Sequence, residues 1–509
     1  ETTSKHNYAP VDDFVVKITE NYPDTPQTWR VLLDKEFKAK LKIIKKDAET
    51  QKSVLLANTE FKVYDLDNQK YVEQTTSYPK PTVHKSYFTN EEGYLVLPKN
   101  LKPGNYRIEE VTAPDGYTIS KNYVTVAVDT DTAYLTDPVT GDAVIDVEYT
   151  NAPVKGQLKI YKQGEVLKGF DKDFQYEMAG LAGAEFEVYA AEDIYTADHQ
   201  VDADGQRTLY FAKDALVATV TTDADGYATV KNLPLGRYYV KEKNAPDTYV
   251  LNTVPENVEF AYADQDTAVI EKEISVTDER QKVSITVEKQ DAETGNEAQG
   301  DATLEGAVYG LYAREDIVHP DGRTGTIHKK DSLITSLTTD KNGEASVSDL
   351  YLGKYYLKEL SAPVGYVLDP TEHEVDCTYE GATVPTVERT SVCKETVIKQ
   401  PFQIIKAANN GKTDADLLQG VGFSAWLVSD LKVKADGSYD FDSARPVVLT
   451  ADGQTEMFTD ERGYACSIPI PYGRYIVRET TTPHNFMPVD DFIVTVTENS
   501  STPQVWRVL

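Results

Sequence analysis

Four lysines recur along the chain in strand-like phrases, and their side-chain amines are candidate nucleophiles. The phrases read LKIIKKD, LKIYKQG, ITVEKQD and FQIIKAA, and the lysines are Lys45, Lys162, Lys289 and Lys406. They lie 117, 127 and 117 residues apart, which is the period of a repeated domain. A lysine amine buried in an apolar core loses its proton because desolvation disfavours the charged form, and it then becomes a nucleophile.

A glutamate follows each lysine late in the same repeat. It opens the phrases EVTAP, EKNAP, ELSAP and ETTTP, and the four residues are Glu110, Glu242, Glu359 and Glu479. Burial favours the protonated form of a carboxyl group, which could polarise an acceptor carbonyl and shuttle protons. We therefore expect these glutamates to be the catalytic partners of the lysines.

A carboxyl or carboxamide group recurs eleven residues before a lysine, at the end of the strand that closes a repeat. Asp34, Asn151 and Asp278 occupy this position. An antiparallel sandwich can bring this last strand, the lysine strand and the glutamate strand together. The product would then be an amide between lysine and asparagine or aspartate side chains, with loss of ammonia or water.

The segments that carry these residues alternate apolar and polar side chains, as in residues 60–64 and 106–109. This period of two is typical of strands that are buried on one face. Turns punctuate the strands at TNEEGY, TDADGY, TDKNGE and TDERGY, where Asp or Asn precedes a glycine that can adopt positive φ. The pattern predicts an all-β fold of tandem immunoglobulin-like antiparallel β-sandwich domains in an elongated array.

The repeats divide the chain into modules. We place module one at residues 35–153, module two at 154–279, module three at 280–400 and module four at 401–509. Residues 1–29 repeat as residues 479–506 with one deletion. We therefore expect residues 1–34 to be the C-terminal fragment of a preceding module, and module four to lack its final residues.

Composition excludes several classes of function. Lysine and arginine number 52, against 83 aspartates and glutamates, which gives a formal net charge of −31. This charge repels nucleic acids and anionic membrane surfaces, and no apolar run is long enough to span a membrane. The seven histidines form no metal-ligand spacing or catalytic triad, so we predict no metal, no cofactor and no turnover enzyme.

These features resemble the B-type repeat domains of Gram-positive collagen adhesins and pilins, called CnaB or prealbumin-like domains. The resemblance rests on the K-x-D strand at Lys45 and Lys289 and on the terminal Asn or Asp. It also rests on the E-x-x-A-P phrase. Where this phrase opens with Glu110 and with Glu359, a Gly-Tyr pair follows it. It covers essentially the whole chain.

The resemblance implies a self-catalysed intramolecular isopeptide bond in each complete module. It pairs Lys45 with Asn151, assisted by Glu110. It likewise pairs Lys162 with Asp278, assisted by Glu242.

The remaining modules depart from this pattern. In module three the acceptor position is Glu395, whose side chain is one methylene longer than that of aspartate. Lys289 and Glu359 are therefore expected either to form a reacted site or to remain an unreacted buried pair. In module four Lys406 and Glu479 are present, and the acceptor is expected within three residues after Leu509. The N-terminal fragment keeps Glu1 and Asp34 without a lysine.

Two functions from different classes follow from this interpretation. The first is a rigid stalk of an extracellular, cell-surface adhesin, anchored to the cell wall through a region outside this segment, whose partners are neighbouring domains of the same polypeptide. The second is an adhesin module that binds a host or bacterial surface ligand through the insertions at residues 191–212 and 314–331, since loops on a rigid scaffold often carry recognition. A sortase-polymerised pilin shaft is a lesser alternative, supported only by the Tyr78-Pro79-Lys80 phrase.

Overall fold

The computed structural model describes residues 5–19, 21, 24, 26, 31–411, 416–504 and 507–508. The chain divides into two compact units. The first comprises Glu1–Gly164, Ala179–Pro246 and Leu251–Asp278, and the second comprises Glu165–Met178, Asp247–Val250 and Glu279–Leu509. Strands dominate both units, which confirms the predicted all-β class.

Module one follows a two-stranded ribbon formed by β1 (Tyr8–Ala9) and β2 (Lys35–Glu36). Its strands are β3 (Ala39–Asp47), β4 (Glu60–Asp65), β5 (Lys70–Tyr71), β6 (Gln74–Thr76), β7 (Thr82–His84), β8 (Tyr87–Phe88), β9 (Tyr94–Val96), β10 (Gly104–Thr112), β11 (Val124–Val128), β12 (Leu135–Thr136) and β13 (Ala143–Asn151). One sheet has the order β12-β13-β3-β9, and the other has the order β11-β10-β4-β5 with β8 beside β4. The lysine strand β3 therefore lies inside one sheet, and the glutamate strand β10 lies inside the other.

Module two repeats this plan with a longer first strand. Its strands are β14 (Lys155–Phe170), β15 (Phe174–Gly180), β16 (Glu185–Ala190), β17 (Ile194–Tyr195), β18 (Leu209–Phe211), β19 (Leu216–Thr221), β20 (Tyr227–Pro234), β21 (Gly236–Asn244), β22 (Glu256–Phe260) and β23 (Val269–Thr277). The orders are β15-β14-β20 with β23 beside β14, and β19-β16-β21-β22.

Module three also contains two main sheets. Its strands are β24 (Lys282–Asp291), β25 (Val308–Ala313), β26 (Ile317–Val318), β27 (Thr326–His328), β28 (Leu333–Thr338), β29 (Glu344–Leu350), β30 (Gly353–Ser361), β31 (Glu372–Cys377) and β32 (Thr386–Glu395). They form the sheets β29-β24-β32 and β28-β25-β30-β31.

Module four contains shorter strands and two 3-10 helices, Val428–Asp430 and Phe441–Ser443. Its strands are β33 (Lys399–Gln400), β34 (Gln403–Ile405), β35 (Gly422–Leu427), β36 (Lys432–Val433), β37 (Tyr439–Asp440), β38 (Glu456–Phe458), β39 (Tyr464–Cys466), β40 (Ile470–Pro471), β41 (Gly473–Thr481), β42 (Phe492–Val496) and β43 (Arg507–Val508). The main sheets are β39-β34-β43 and β38-β35-β41-β42.

One strand pair in each module is parallel. The first and last strands pair in this way as β3 with β13, β14 with β23, β24 with β32 and β34 with β43. The other pairs are antiparallel, so the predicted sandwich holds, with a mixed sheet on the lysine side. Parallel pairing places the C-terminal ends of the first and last strands at the same edge of the sheet.

A separate apolar core fills each module between its two sheets. In module one, alternate residues of β3 are buried, and Leu41 and Ile43 point into the same cluster as Phe61 and Ile108. Equivalent clusters occupy modules two, three and four. The same alternation that buries Leu41 and Ile43 also buries the next residue on that face, Lys45.

A buried threonine opens each of the four TxxxG turns and hydrogen-bonds to the backbone of the segment that precedes a strand of the facing sheet. In module two, the hydroxyl of Thr222 accepts a hydrogen bond from the Ala184 amide at 3.0 Å and donates one to the Leu181 carbonyl at 2.8 Å. The equivalent residues are Thr89, Thr339 and Thr459. Because each hydroxyl satisfies two buried backbone groups, the turn is fixed next to the lysine strand.

Candidate functional site

The backbone of each candidate lysine is held by the glycine of the neighbouring TxxxG turn. The Lys162 amide donates to the Gly226 carbonyl at 2.8 Å, and a Cβ at Gly226 would lie only 2.5 Å from the Lys162 carbonyl oxygen. Gly226 also has a φ of +84°, which side chains other than glycine rarely adopt. The same amide-to-carbonyl bond joins the pairs Lys45–Gly93, Lys289–Gly343 and Lys406–Gly463.

Each candidate glutamate lies on the facing sheet and is oriented by a backbone amide ten residues further along the chain. In module one the Ser120 amide donates to Oε2 of Glu110 at 3.0 Å. The equivalent donors to Glu242, Glu359 and Glu479 are the amides of Asn252, Asp369 and Val489, at 2.9, 2.9 and 3.1 Å. One carboxylate oxygen is therefore fixed by the backbone.

Module one brings all three of its predicted residues together. Nζ of Lys45 lies 3.1 Å from Oε1 of Glu110, and both side chains are fully buried. Nδ2 of Asn151 donates to both carboxylate oxygens of Glu110, at 2.9 and 2.8 Å. Nζ of Lys45 also donates to the Tyr149 carbonyl at 3.2 Å and lies 4.9 Å from the centre of that ring.

This environment favours a neutral amine at Lys45. Burial lowers the pKa of Lys45 from 10.5 to about 8, although the adjacent Glu110 carboxylate acts in the opposite direction. The Glu110 carboxylate contacts both the nucleophile and the leaving nitrogen of Asn151. A single carboxyl group can therefore accept a proton from the first and deliver it to the second.

Module two assembles the equivalent cluster with aspartate as the acceptor. Nζ of Lys162 lies 2.7 Å from Oε1 of Glu242 and also contacts Oδ1 of Asp278. All three side chains are fully buried. Burial raises the pKa of Asp278 to about 7, despite the opposing effect of the Lys162 charge. A protonated aspartic acid can lose its hydroxyl as water, which an ionised carboxylate cannot do readily.

Module three, which the sequence left open, brings Glu395 into contact with its lysine. Nζ of Lys289 lies 3.4 Å from Oε1 of Glu359 and contacts Oε2 of Glu395 directly. Burial lowers the pKa of Lys289 and raises the pKa of Glu359. The extra methylene is accommodated, because Glu395 reaches the same point that Asp278 occupies relative to its lysine.

Module four contains the lysine and glutamate of the pattern. Nζ of Lys406 lies 3.0 Å from Oε2 of Glu479, and both groups are buried. The N-terminal fragment contributes no comparable cluster to the described residues: Asp34 is exposed, and Glu1 lies outside the described residues.

The aspartate of the K-x-D phrase has a structural role that the sequence did not indicate. Oδ1 of Asp47 accepts the amides of Glu49 and Thr50, at 2.6 and 2.8 Å, and so ends β3 in a tight turn. Oδ2 of Asp47 accepts the hydroxyl of Tyr117 at 2.5 Å. Asp291 in module three accepts equivalent bonds.

Module two lacks this aspartate, and its first strand does not stop. Gly164 occupies the position, and β14 continues to Phe170. The hydroxyl of Tyr249, which corresponds to Tyr117, donates instead to the Glu165 carbonyl at 2.8 Å. The tyrosine therefore ties the end of the lysine strand to the segment after the glutamate in modules one, two and three, whichever acceptor is available.

The lowered pKa of Lys45 predicts that stability depends on pH in a variant that cannot form the amide bond and so keeps the free amine. In the unchanged structure burial lowers the pKa of Lys45 from 10.5 to about 8, and we expect Asn151→Ala to keep this lowered pKa because Lys45 and Glu110 stay in place. The unfolded state then binds more protons between these values, so the free energy of unfolding of module one should rise as the pH increases from about 8 to about 10.5. Urea unfolding across this pH range measures the slope. The Asn151→Ala, Lys45→Met double variant should lack it, and an equal slope in both variants would contradict the assignment.

Metal binding, membrane-spanning helices and the Tyr-Pro-Lys phrase are considered apart from the lysine clusters because none of them contributes chemistry to these clusters. In the described part of the chain, no group of three or more His, Cys, Asp or Glu residues is arranged to hold a metal ion. Within the same residues, no helix has both the length and the apolar character needed to cross a bilayer. Lys80 of the Tyr-Pro-Lys phrase is exposed in the loop between β6 and β7.

Comparison with known proteins identifies relatives among Gram-positive surface proteins. A stretch of 121 residues, 24% of this chain, is 31% identical to the trypsin-resistant surface T6 protein of Streptococcus pyogenes serotype M6. That alignment spans about a fifth of the T6 protein, 19% of its length.

Comparison with solved structures finds matches that include the following three proteins. The Bacillus anthracis TIE protein is 18% identical, with a TM-score of 0.43, over 90% of this chain and 69% of that chain. BcpA, the major pilin subunit of Bacillus cereus, is 15% identical, with a TM-score of 0.30, over 70% of this chain and 100% of that one. The shaft pilin spaA of Lactobacillus rhamnosus GG is 14% identical, with a TM-score of 0.18, over 48% and 98% of the two chains.

The match to a domain family covers most of the chain. Residues 39–140, 170–278 and 283–390 match the SpaA prealbumin-like fold domain, whose related pilins are structural proteins and not enzymes. Because these stretches make up more than half of the sequence, the chain belongs to the SpaA prealbumin-like domain family and carries these domains in tandem, as a homologue of Gram-positive pilins and surface proteins.

Proposed function

We propose that this chain is a stalk segment of a Gram-positive cell-surface protein, stiffened by amide bonds that modules one and two form without another enzyme. The bonds join Lys45 to Asn151 and Lys162 to Asp278. The observation that carries the proposal is the burial of each lysine against its glutamate. The acceptor Asn151 is hydrogen-bonded to that glutamate in module one, and the acceptor Asp278 contacts the lysine itself in module two. The family membership supports an extracellular location at the cell surface.

The reaction in module one exchanges one amide for another. The neutral Lys45 amine attacks Cγ of Asn151, and Glu110 accepts a proton from the attacking nitrogen. Glu110 then delivers that proton to Nδ2, to which it is already hydrogen-bonded. The C–Nδ2 bond breaks, ammonia leaves, and Glu110 returns to its starting state.

The reaction in module two follows the same course with a different leaving group. The Lys162 amine attacks Cγ of protonated Asp278, and Glu242 transfers the proton to the departing hydroxyl. Water leaves, and the new C–N bond joins β14 to the residue that follows β23.

The position of these bonds suits a load-bearing role. In module one the bond closes a loop of about 105 residues, and a cross-link of that size stabilises the folded state by about 4–5 kcal/mol in the chain-entropy model. It also connects the strand at which the chain enters the module to the strand at which it leaves. Tension would then pass through the bond and not through the core.

Contacts join successive modules within each compact unit. In the first unit, the Ala113 amide donates to Oε1 of Gln265 and the Ile119 amide to the Gln265 carbonyl, at 2.9 and 2.8 Å. In the second unit, the Asp301 amide donates to the Tyr472 carbonyl at 2.8 Å. These contacts support modules that act together within each unit.

The two insertions that suggested ligand binding form contacts between modules. The insertion of module two folds into the hairpin β17–β18, and its buried Asp198 accepts the Thr50 hydroxyl of module one at 2.7 Å. The insertion of module three contains Asp321, which accepts the Leu167 amide at 2.8 Å. These contacts favour the stalk over the alternative of a ligand-binding module.

Intact mass under denaturing conditions tests the proposal directly. The folded 509-residue polypeptide should be lighter than its sequence by one ammonia from module one and one water from module two, besides any loss in another module. Glu110→Ala should restore only the ammonia and Glu242→Ala only the water, because each glutamate serves its own module. Peptide mapping should locate the links at Lys45–Asn151 and Lys162–Asp278.

Two further variants serve as controls. Asp278→Asn should give the same final mass as the unchanged protein, since the variant loses ammonia where the original loses water. Glu148→Ala replaces an exposed glutamate beside the cross-linked strands and should retain both bonds. Absence of both linked peptides from the unchanged protein would refute the bonds and remove the basis for the stalk.

A further inference from the structure

We propose that module three closes an amide between Nζ of Lys289 and the side-chain carboxyl group of Glu395, a lysine–glutamate bond in place of the lysine–asparagine and lysine–aspartate bonds of modules one and two. This inference rests on the chemistry of the proposed function and extends it to an acceptor of a different side-chain length. It therefore assigns a role to Glu395, which the sequence pattern had set aside.

The strand register places Glu395 at the acceptor position. Lys45 lies opposite Tyr149 in its parallel ladder, and the acceptor Asn151 is two residues beyond Tyr149. Lys289 lies opposite Cys393, and Glu395 is two residues beyond Cys393. The backbone relationship is therefore the same in both modules, and only the length of the acceptor side chain differs.

The two reacting groups are buried against each other. Lys289 is 0% exposed and Glu395 is 2% exposed, and Nζ of Lys289 contacts Oε2 of Glu395. Glu359 contacts the same Nζ from the facing sheet. A carboxyl group with this degree of burial is unlike the solvated glutamates of an ordinary strand end.

A tyrosine hydroxyl accompanies the longer acceptor. The residue opposite the catalytic glutamate in the ladder is Tyr309 in module three, and its hydroxyl donates to Oε1 of Glu395 at 2.5 Å. The corresponding residues of modules one, two and four are Phe61, Phe186 and Phe423. The hydroxyl thus occurs only in the module whose acceptor is glutamate.

The neighbouring core residue leaves room for this arrangement. In module one the residue opposite the lysine is Tyr149, whose ring packs on Phe61 with centroids 5.1 Å apart. In module three that position is Cys393, a much smaller side chain. Tyr309 can therefore point its hydroxyl at Glu395, which holds the longer side chain in one orientation.

The geometry assigns a separate role to each oxygen of Glu395. The neutral amine of Lys289 attacks Cδ of Glu395 in its carboxylic acid form, with the proton on Oε2, while the Tyr309 hydroxyl stabilises the charge that develops on Oε1. Glu359 accepts a proton from the attacking nitrogen and returns it to Oε2, which leaves as water. The C–N bond forms, the C–Oε2 bond breaks, and Oε1 remains as the amide oxygen.

Peptide mapping of the unchanged 509-residue protein tests the proposal without depending on any variant. Proteolysis after denaturation should yield a branched peptide in which Lys289 is joined to Glu395, one water lighter than its two components. Linear peptides that contain unmodified Lys289 and Glu395 would overturn the proposal. A link from Lys289 to any other residue would overturn it too.

Variants separate the roles of the three side chains. Glu359→Ala and Glu395→Ala should each abolish the link, whereas Glu395→Gln should form it with loss of ammonia and so give the same final mass. Tyr309→Phe should slow bond formation about tenfold or more, as expected for loss of a hydrogen bond to a developing charge. The Tyr309→Phe, Glu395→Asp double variant reproduces the residues of module two and should recover the rate; failure of this rescue would refute the role given to Tyr309.

The same digest distinguishes this proposal from the one on which it rests. Links at Lys45 and Lys162 without a link at Lys289 would leave the stalk function intact and refute only the lysine–glutamate bond. A link at Lys289 alone would support the glutamate acceptor and refute the bonds of modules one and two.

Discussion

Modules one and two will not lengthen when the chain is pulled from its ends, because each amide bond bypasses the residues between its lysine and its acceptor. Without the bond, unfolding of module one would release roughly 105 residues, which at about 3.5 Å each add about 370 Å of chain. We expect Glu110→Ala to introduce this extension in module one, and Glu242→Ala to introduce a comparable step in module two. Single-molecule force spectroscopy measures both steps.

The exposed-site variant Glu148→Ala supplies the matched control, since it changes a glutamate on the cross-linked strand without touching the cluster. It should show the same extension pattern as the unchanged protein. If the unchanged protein itself produced the step of module one, tension would pass through the core, and the load-bearing role of the bond would be refuted.

Thermal stability should respond more strongly to loss of Glu110 than to loss of Asn151. Asn151→Ala removes the cross-link, a change of about 4–5 kcal/mol in the chain-entropy model, but it keeps the buried Lys45–Glu110 pair. Glu110→Ala removes the cross-link and also leaves the buried amine without its carboxylate, which costs about 3–5 kcal/mol more. Scanning calorimetry should therefore show the transition of module one lowered in both variants, and lowered further in Glu110→Ala.

Lys45→Met in the Glu110→Ala background provides the internal check. It replaces the unpaired amine with an apolar side chain of similar length, so it should recover stability relative to Glu110→Ala alone. No recovery would mean that the additional loss does not come from the buried amine. Equal transitions in Asn151→Ala and Glu110→Ala would contradict the ranking itself.

Much of this architecture could be predicted from the sequence because the chemical residues recur in register. Four copies of the pattern made Lys45, Glu110 and Asn151 stand out from ordinary strand-end charges, and the alternation along β3 explains why a lysine continues a row of core residues. The sandwich followed from the same alternation and from the spacing of the turns.

The pairing of the first and last strands could not be predicted in the same way. Alternation with a period of two is the same in parallel and antiparallel strands, so the sequence did not reveal that β3 and β13 run side by side in the same direction. Nor could it show the length of β14, which depends on the absence of an aspartate at Gly164 to end the strand. Local sequence signals indicate the residue at which a strand begins more clearly than they indicate which strands lie beside it in the sheet.

The fit of Glu395 could not be judged from side-chain length alone. One additional methylene suggested a mismatch, but the outcome depends on Tyr309, which lies 86 residues away in the sequence, and on the small volume of Cys393. Neither residue belongs to the recurring phrases. A change in the acceptor is therefore matched by changes in residues that only the fold brings near it.

The parallel pairing of each first strand with its own last strand also bears on misassembly during folding. Neighbouring modules of similar sequence can exchange equivalent strands, which is a common failure of tandem-repeat proteins. A last strand is especially exposed to this error because its partner lies about 100 residues earlier in the chain. Once an amide joins the two strands, neither can exchange with the equivalent strand of another module. The bond would therefore make the pairing within each module irreversible.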